Sequence, residues 1–321
     1  MTVAHRRTGV AFCLAPALLA LAVGRALPAA SPLLVAIALG MVVAALAPPG
    51  PRLAPGIAFT ARTLLRAGVV LLGLQLSLRQ VGGLGAGVLA LVVVVVVSGI
   101  AVSLLVGRLL GLPWHQRLLI GCGSSICGAA AVAAVDGVVE AEEQDTASAV
   151  ALVVVFGTAM IGLVPLAAAV LGLAPATAGV WTGASVHEVA QVVAAGGIVG
   201  SSALSVAVVV KLGRVLTLAP VLAWISWRRR AAGATGHPLV PGFVLGFVAL
   251  VLVRTWTPPP ARLLDGAAAV ETLLLAAAMF ALGCGVRLDR LRAAGRAPFV
   301  LAAAATAWVG AVGLVGAVLV T

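Results

Sequence analysis

The chain has 321 residues, of which 63% are hydrophobic and 9% charged, and its net charge is +11. An ordinary soluble domain carries about 45–50% apolar and about 25% charged residues, so a water-soluble fold has no way to hide this much apolar surface. The basic residues stand in short segments between apolar runs, Tyr is absent, and Trp114, Trp181, Trp224, Trp227 and Trp256 gather near the ends of those runs. That pattern excludes the aromatic-studded basic surface of a nucleic-acid binder and makes the lipid bilayer the first partner.

Taken in chain order, apolar runs fall near 8–24, 31–47, 63–78, 84–106, 118–139, 146–172, 179–196, 201–225, 239–254, 266–286 and 297–320. About 20 apolar residues cross a bilayer core as a helix. The expected fold is therefore all-α, a polytopic membrane protein of ten or eleven transmembrane helices forming one domain over 1–321. The first run follows His5, Arg6 and Arg7 but ends in no small-residue cleavage site, so it reads as a span and not a signal peptide.

With the N-terminus in the cytoplasm, 14 of the 20 basic residues lie inside, 4 outside and 2, Lys211 and Arg214, within a span, in keeping with the positive-inside rule. The acidic segment Glu140, Glu142, Glu143 and Asp145 then faces outward. Beyond the extra first span, the remaining ten divide into two groups of five, 31–172 and 179–320, of opposite sense. Inverted repeats of this kind are common in secondary transporters.

An internal echo links two of the runs. Gly123-Ser124-Ser125-Ile126-Cys127, followed by Ala130, Val132 and Ala134, matches Gly183-Ala184-Ser185-Val186-His187, followed by Ala190, Val192 and Ala194. Both read as places where a crossing helix breaks and restarts inside the membrane; small-residue helix packing is the plainer alternative. In the span count, the two echoing segments run in the same sense.

Ionisable residues at membrane depth are costly, and each is a functional candidate. His187 and Glu188, flanked by Ser185 and Gln191, are the candidate proton carriers, against a purely structural His–Glu pair. Lys211 and Arg214, three apart in an apolar span, are the candidate anion-binding charges, able to pair with a substrate or with Glu188. Snorkelling is their alternative. The run Gly121–Ser125 reads as a helix start whose free N–H groups and the hydroxyls of Ser124 and Ser125 would hold an oxyanion.

The stretch from His187 to Gln191 also matches the zinc-protease pattern H-E-x-x-H with Gln in place of the second His, which removes a ligand. Cys13, Cys122, Cys127 and Cys284 lie in apolar segments and read as small buried hydrophobes, so neither a metal nor another cofactor is expected. Asp136 and Glu271 read as interfacial, and Gln75 as a cavity-lining or helix-linking residue.

At these residues the chain resembles the YeiH-like family of bacterial inner-membrane proteins, whose members carry the label of sulfate exporters. The resemblance rests on Leu65-Arg66 leading to Leu71-Leu72-Gly73-Leu74, on Ser125 to Ala129, on Gly183 to Val192, on Val210-Lys211-Leu212 with Arg214-Val215-Leu216, and more weakly on Ala278-Met279 through Leu282-Gly283. Ser124 stands where Thr is expected. The resemblance implies a transporter of the bile-acid symporter and cation/proton antiporter superfamily, with inverted five-helix repeats and crossed broken helices.

The combined expectation is a secondary transporter that exports a small anion, sulfate or an organic sulfonate or carboxylate, across the inner membrane. Ser124, Ser125, Ser185, Gln191, Lys211 and Arg214 would bind it, and His187 and Glu188 would carry a coupling proton. A sodium- or proton-coupled organic anion symporter, an intramembrane enzyme and a non-transporting sensor are the alternatives. A homodimer is the expected assembly. No phosphate-binding loop of the form G-x-x-x-x-G-K-[ST] occurs, so a gradient or exchange supplies the energy.

Overall fold

The structure, a computed structural model, describes residues 3–26, 32–139, 141–231, 242–257, 259–285 and 295–321. Among the described residues every regular element is helical. Seven helices are long and apolar enough to cross a membrane, and shorter apolar helices at Val35–Leu46, Ala129–Val139, Val189–Val199 and Gly242–Trp256 occupy the other four predicted spans. Of the charges used for topology, Glu140, Arg287, Arg290 and Arg292 lie outside the described residues.

One unit of the chain comprises Met1–Ser77, Glu142–Ser148 and Pro241–Ala293. It contains α1 (Val3–Ala26), α2 (Pro32–Leu46), α3 (Ala54–Phe59), α4 (Leu65–Leu72), α14 (Gly242–Trp256) and α15 (Ala261–Gly285). A π turn at Thr60–Leu64 joins α3 to α4, and a 3-10 turn at Gly73–Gln75 ends α4. Glycines bring the helix backbones together, Gly40 against Gly283 and Gly9 against Gly56, where an added Cβ would overlap the facing backbone. Glu271 is not interfacial as expected. It sits well inside α15, is only 8% exposed, and has Gln75 as its neighbour.

The other unit comprises Leu78–Ala141, Ala149–Val240 and Ala294–Thr321. Its elements are α5 (Leu78–Gly82), α6 (Gly85–Leu109), α7 (Trp114–Ser125), α8 (Ala129–Val139), most of α9 (Glu143–Val170), α10 (Pro175–Ser185), α11 (Val189–Val199), α12 (Ser201–Leu216), α13 (Leu218–Ala231) and α16 (Ala297–Val320). Helices α6 and α16 run antiparallel, Gly87 lying against Val320, Gly99 against Val309 and Gly107 against Leu301. One end of this unit is marked by Thr321, which hydrogen-bonds Thr177. The other is marked by Arg229, which donates to the carbonyl of Val138.

The two echoing segments are interrupted as predicted, but the chain reverses at each break and does not cross. Gly123 lies against Val132, residues that a continuous helix would hold about 13 Å apart. Helix α7 therefore enters from the Arg229 end, antiparallel to α6 through Gly107 with Arg117 and Gly121 with Ser103, and α8 returns to that end at Val138. Helix α10 enters from the Thr321 end, parallel to α12 through Gly179 with Ala203 and Gly183 with Ala207. Helix α11 then runs back antiparallel to α12, Gly196 against Leu204, and brings Val199 into the same surface pocket as Pro175. In a crossing helix those two residues would stand about 36 Å apart.

These reversals correct two expectations. The predicted spans 118–139 and 179–196 are re-entrant hairpins, and the chain at Val138 is returned to the Arg229 end. The first hairpin packs on α6 and the second on α16, and the two hairpins enter from opposite ends. Ser125 packs on Gly99 of α6 as Ser185 packs on Gly313 of α16. Backbone that is not helical at this depth is tolerated where protein covers it.

Candidate functional site

The hairpin tips, 124–128 and 185–188, meet in the interior of this unit, and the meeting exposes four helix ends to one another. Helices α7 and α10 arrive with unsatisfied C-terminal carbonyls and partial negative charge, while α8 and α11 depart with unsatisfied N–H groups and partial positive charge. The run Gly121–Ser125 thus closes a helix and does not open one, contrary to expectation. Its glycines serve packing, and the turn comes at Gly128, whose φ of +79° favours a residue without Cβ.

Lys211 and Arg214 neutralise the two C-terminal ends. Lys211 Nζ donates to the carbonyls of Ile126 (2.7 Å), Val186 (2.9 Å) and His187. Arg214 donates through Nε to Ser125 (2.9 Å), through Nη1 to Gly183 (3.2 Å) and Val186 (3.0 Å), and through Nη2 to Ser124 (2.8 Å). Both side chains are fully buried, so neither snorkels. An ammonium has three protons and a guanidinium five, which leaves Lys211 with none to give and Arg214 with one, on Nη2. These cations bridge the tips directly.

Glu188 serves the N-terminal ends. Its Oε1 accepts the N–H of Ala129, the first residue of α8, at 3.2 Å, while Glu188 and Gln191 form a capping box at the start of α11. Gln191 Oε1 accepts the Glu188 N–H at 3.0 Å and its Nε2 donates to the carbonyl of Val154 at 3.4 Å. Room for Gln191 exists because residue 157 of α9 is glycine, and room for the Glu188 side chain because residue 128 is glycine.

What remains is a set of buried polar atoms with no partner: Ser124 Oγ, Ser125 Oγ, Ser185 Oγ, His187 Nδ1 and Glu188 Oε2. These five belong to residues singled out from the sequence; away from the tips, Gln75 Nε2, Arg117 Nε, Ser148 Oγ and Ser226 Oγ are also unpaired. Unpaired polar atoms in a dry interior are expensive, and native folds leave few of them. Three hydroxyls that can donate and two atoms that can accept thus stand unused on the residues of the two tips, with Ser125 Oγ against Gly99 of α6 and Ser185 Oγ against Gly313 of α16. The other nitrogen of His187, Nε2, lies 2.9 Å from Thr306 Oγ1 on α16. Sequence reasoning missed Thr306, which sits in the alanine-rich run Leu301–Trp308 without any motif around it.

The family described as conserved hypothetical protein 698 matches residues 8–302. A UPF0324 membrane protein of Corynebacterium glutamicum is 49% identical over 271 residues, 83% of this chain and 79% of its own length. The UPF0324 membrane protein TauZ of Paracoccus pantotrophus is 40% identical over 266 residues, covering 80% and 79%. The UPF0324 inner membrane protein YeiH of Salmonella typhi is 38% identical over 261 residues, covering 79% and 75%. No solved structure matches the chain.

Proposed function

The chain belongs to the conserved hypothetical protein 698 family of UPF0324 membrane proteins, which includes YeiH, and from that premise we propose that it is a secondary transporter of a small anion. The anion is sulfate or an organic sulfonate or carboxylate, moved outward across the inner membrane. The observation that carries this reading is the cluster of unpartnered atoms at the hairpin tips. Hydroxyls of Ser124, Ser125 and Ser185 donate to the anion's oxygens. Lys211 and Arg214 act by holding the tips and by the positive field of two buried cations, with the one spare Arg214 proton available for contact.

A fully deprotonated anion leaves the lone pairs of His187 Nδ1 and Glu188 Oε2 unmatched. A proton bound there balances them, which supports proton coupling at these two residues. Two hairpins that enter from opposite faces give the site one tip toward each side of the membrane, the arrangement alternating access needs. By the positive-inside rule the Arg229 end, with Arg108 and Arg117, is cytoplasmic. Gln191 is spent on the capping box, so the position of a second zinc ligand already has a structural use, which favours a transporter over a protease.

The test is uptake of labelled sulfate and sulfonates into proteoliposomes with and without an imposed pH gradient. Flux of one of these anions that responds to the gradient is expected. No flux of any anion would sink the proposal, and flux unchanged in His187→Ala and Glu188→Gln would remove the proton from it.

A further inference from the structure

We propose that Thr306 is a positioning residue that fixes the tautomer of His187, so that the ring turns an unprotonated Nδ1 toward the occupant of the hairpin tips. A threonine hydroxyl has one proton, and Thr306 Oγ1 stands 2.7 Å from the carbonyl of Ala302, one turn back on its own helix. With that proton given to Ala302, the oxygen can only accept from His187 Nε2, 2.9 Å away. Nε2 therefore carries the hydrogen. A neutral imidazole has one N–H, and so Nδ1 is bare.

The opposite tautomer costs more contacts. Thr306 would have to turn its proton to Nε2 and abandon Ala302, and an N–H would be left at Nδ1. The backbone carbonyl of Ser185 faces the ring and would favour an N–H there, but it lies outside hydrogen-bond geometry at Nδ1. In the arrangement inferred, every hydrogen is used and only a lone pair is spare, and a lone pair is the cheaper orphan.

The charged groups that act on the ring are Lys211 and Arg214, both from α12, and Glu188 is its neighbour in sequence. None of them meets Nδ1. A proton arriving there converts the ring to an imidazolium that donates from Nδ1 while Nε2–H keeps its bond to Thr306. The use of this proton in coupling rests on the transport reading above; the tautomer does not.

Nitrogen-15 spectra of histidine-labelled full chain in lipid nanodiscs test it, with the His187 signals identified by their loss in His187→Gln. A protonated Nε2 and a bare Nδ1 are expected in the unaltered protein. Thr306→Val keeps the shape and removes the hydroxyl, and should move the His187 signals and shift the pH profile of anion flux, while Thr306→Ser restores both. A proton resident on Nδ1 in the unaltered protein, or a His187 spectrum that Thr306→Val leaves unchanged, would overturn the inference. Should the expected spectra appear in a protein that moves no anion, the positioning role stands and the transport reading falls.

Discussion

Glu188 of the second hairpin accepts the backbone N–H of Ala129 in the first, 3.2 Å away, across the bare backbone of Gly128. One carboxylate thereby closes a helix start on each hairpin. Replacing Glu188 by Ala removes that acceptor and a cap, at a cost of about 1–3 kcal/mol. Gly128→Ala should match it, since its positive φ alone costs about 1–3 kcal/mol for a residue with Cβ, and the new methyl overlaps Glu188 Cγ. Gly310→Ala is the control, meeting only Met160 Cε at 3.5 Å. Thermal unfolding of detergent-solubilised protein ranks the three; equal stability of Gly128→Ala and Gly310→Ala would contradict the contact.

Lys211→Met is expected to cost folded protein before it costs affinity. The change leaves the carbonyls of Ile126, Val186 and His187 buried without the donor that all three share. Each buried acceptor left without a donor costs about 1–3 kcal/mol, and of the three only Val186 keeps one, from Arg214 Nη1. Size-exclusion profiles and unfolding midpoints should show the loss, and Lys211→Arg should not repair it, because a planar fork cannot take the place of a tetrahedral donor. A stable, monodisperse Lys211→Met protein that merely binds anion less well would return Lys211 to the role of substrate ligand.

The serine hydroxyls should behave in the opposite way. Ser125 Oγ and Ser185 Oγ have no partner, so Ser125→Ala and Ser185→Ala are expected to change stability by less than about 0.5 kcal/mol, or to raise it. Each should lower anion affinity about tenfold, the worth of one hydrogen bond to a charged ligand. Isothermal titration alongside unfolding separates the two effects. Stability lost with affinity intact would make these hydroxyls structural.

Sidedness tests the hairpins directly. Single cysteines at Pro113 and Ala141, in a background without native thiols, should react from one side of the membrane, and those at Ala176 and Ser201 from the other. Impermeant thiol reagents on intact and permeabilised cells read this. Crossing helices would put Pro113 opposite Ala141, and that labelling pattern would rule the hairpins out.

Hydropathy is local, so the run of residues alone was enough to mark this as an all-α membrane protein, to place its apolar helices, and to isolate His187, Glu188, Lys211 and Arg214 as charges that need a reason to be buried. The Gly/Ser breaks were legible for the same cause. Which way the chain turns after a break was not, because a crossing helix and a hairpin share one local pattern. Contacts such as Gly123 with Val132 and Val153 choose between them. The use of the charges was equally hidden. A lysine in an apolar run demands acceptors, but those of Lys211 include a carbonyl at Ile126, 85 positions away, and only folding brings the two hairpin tips to it.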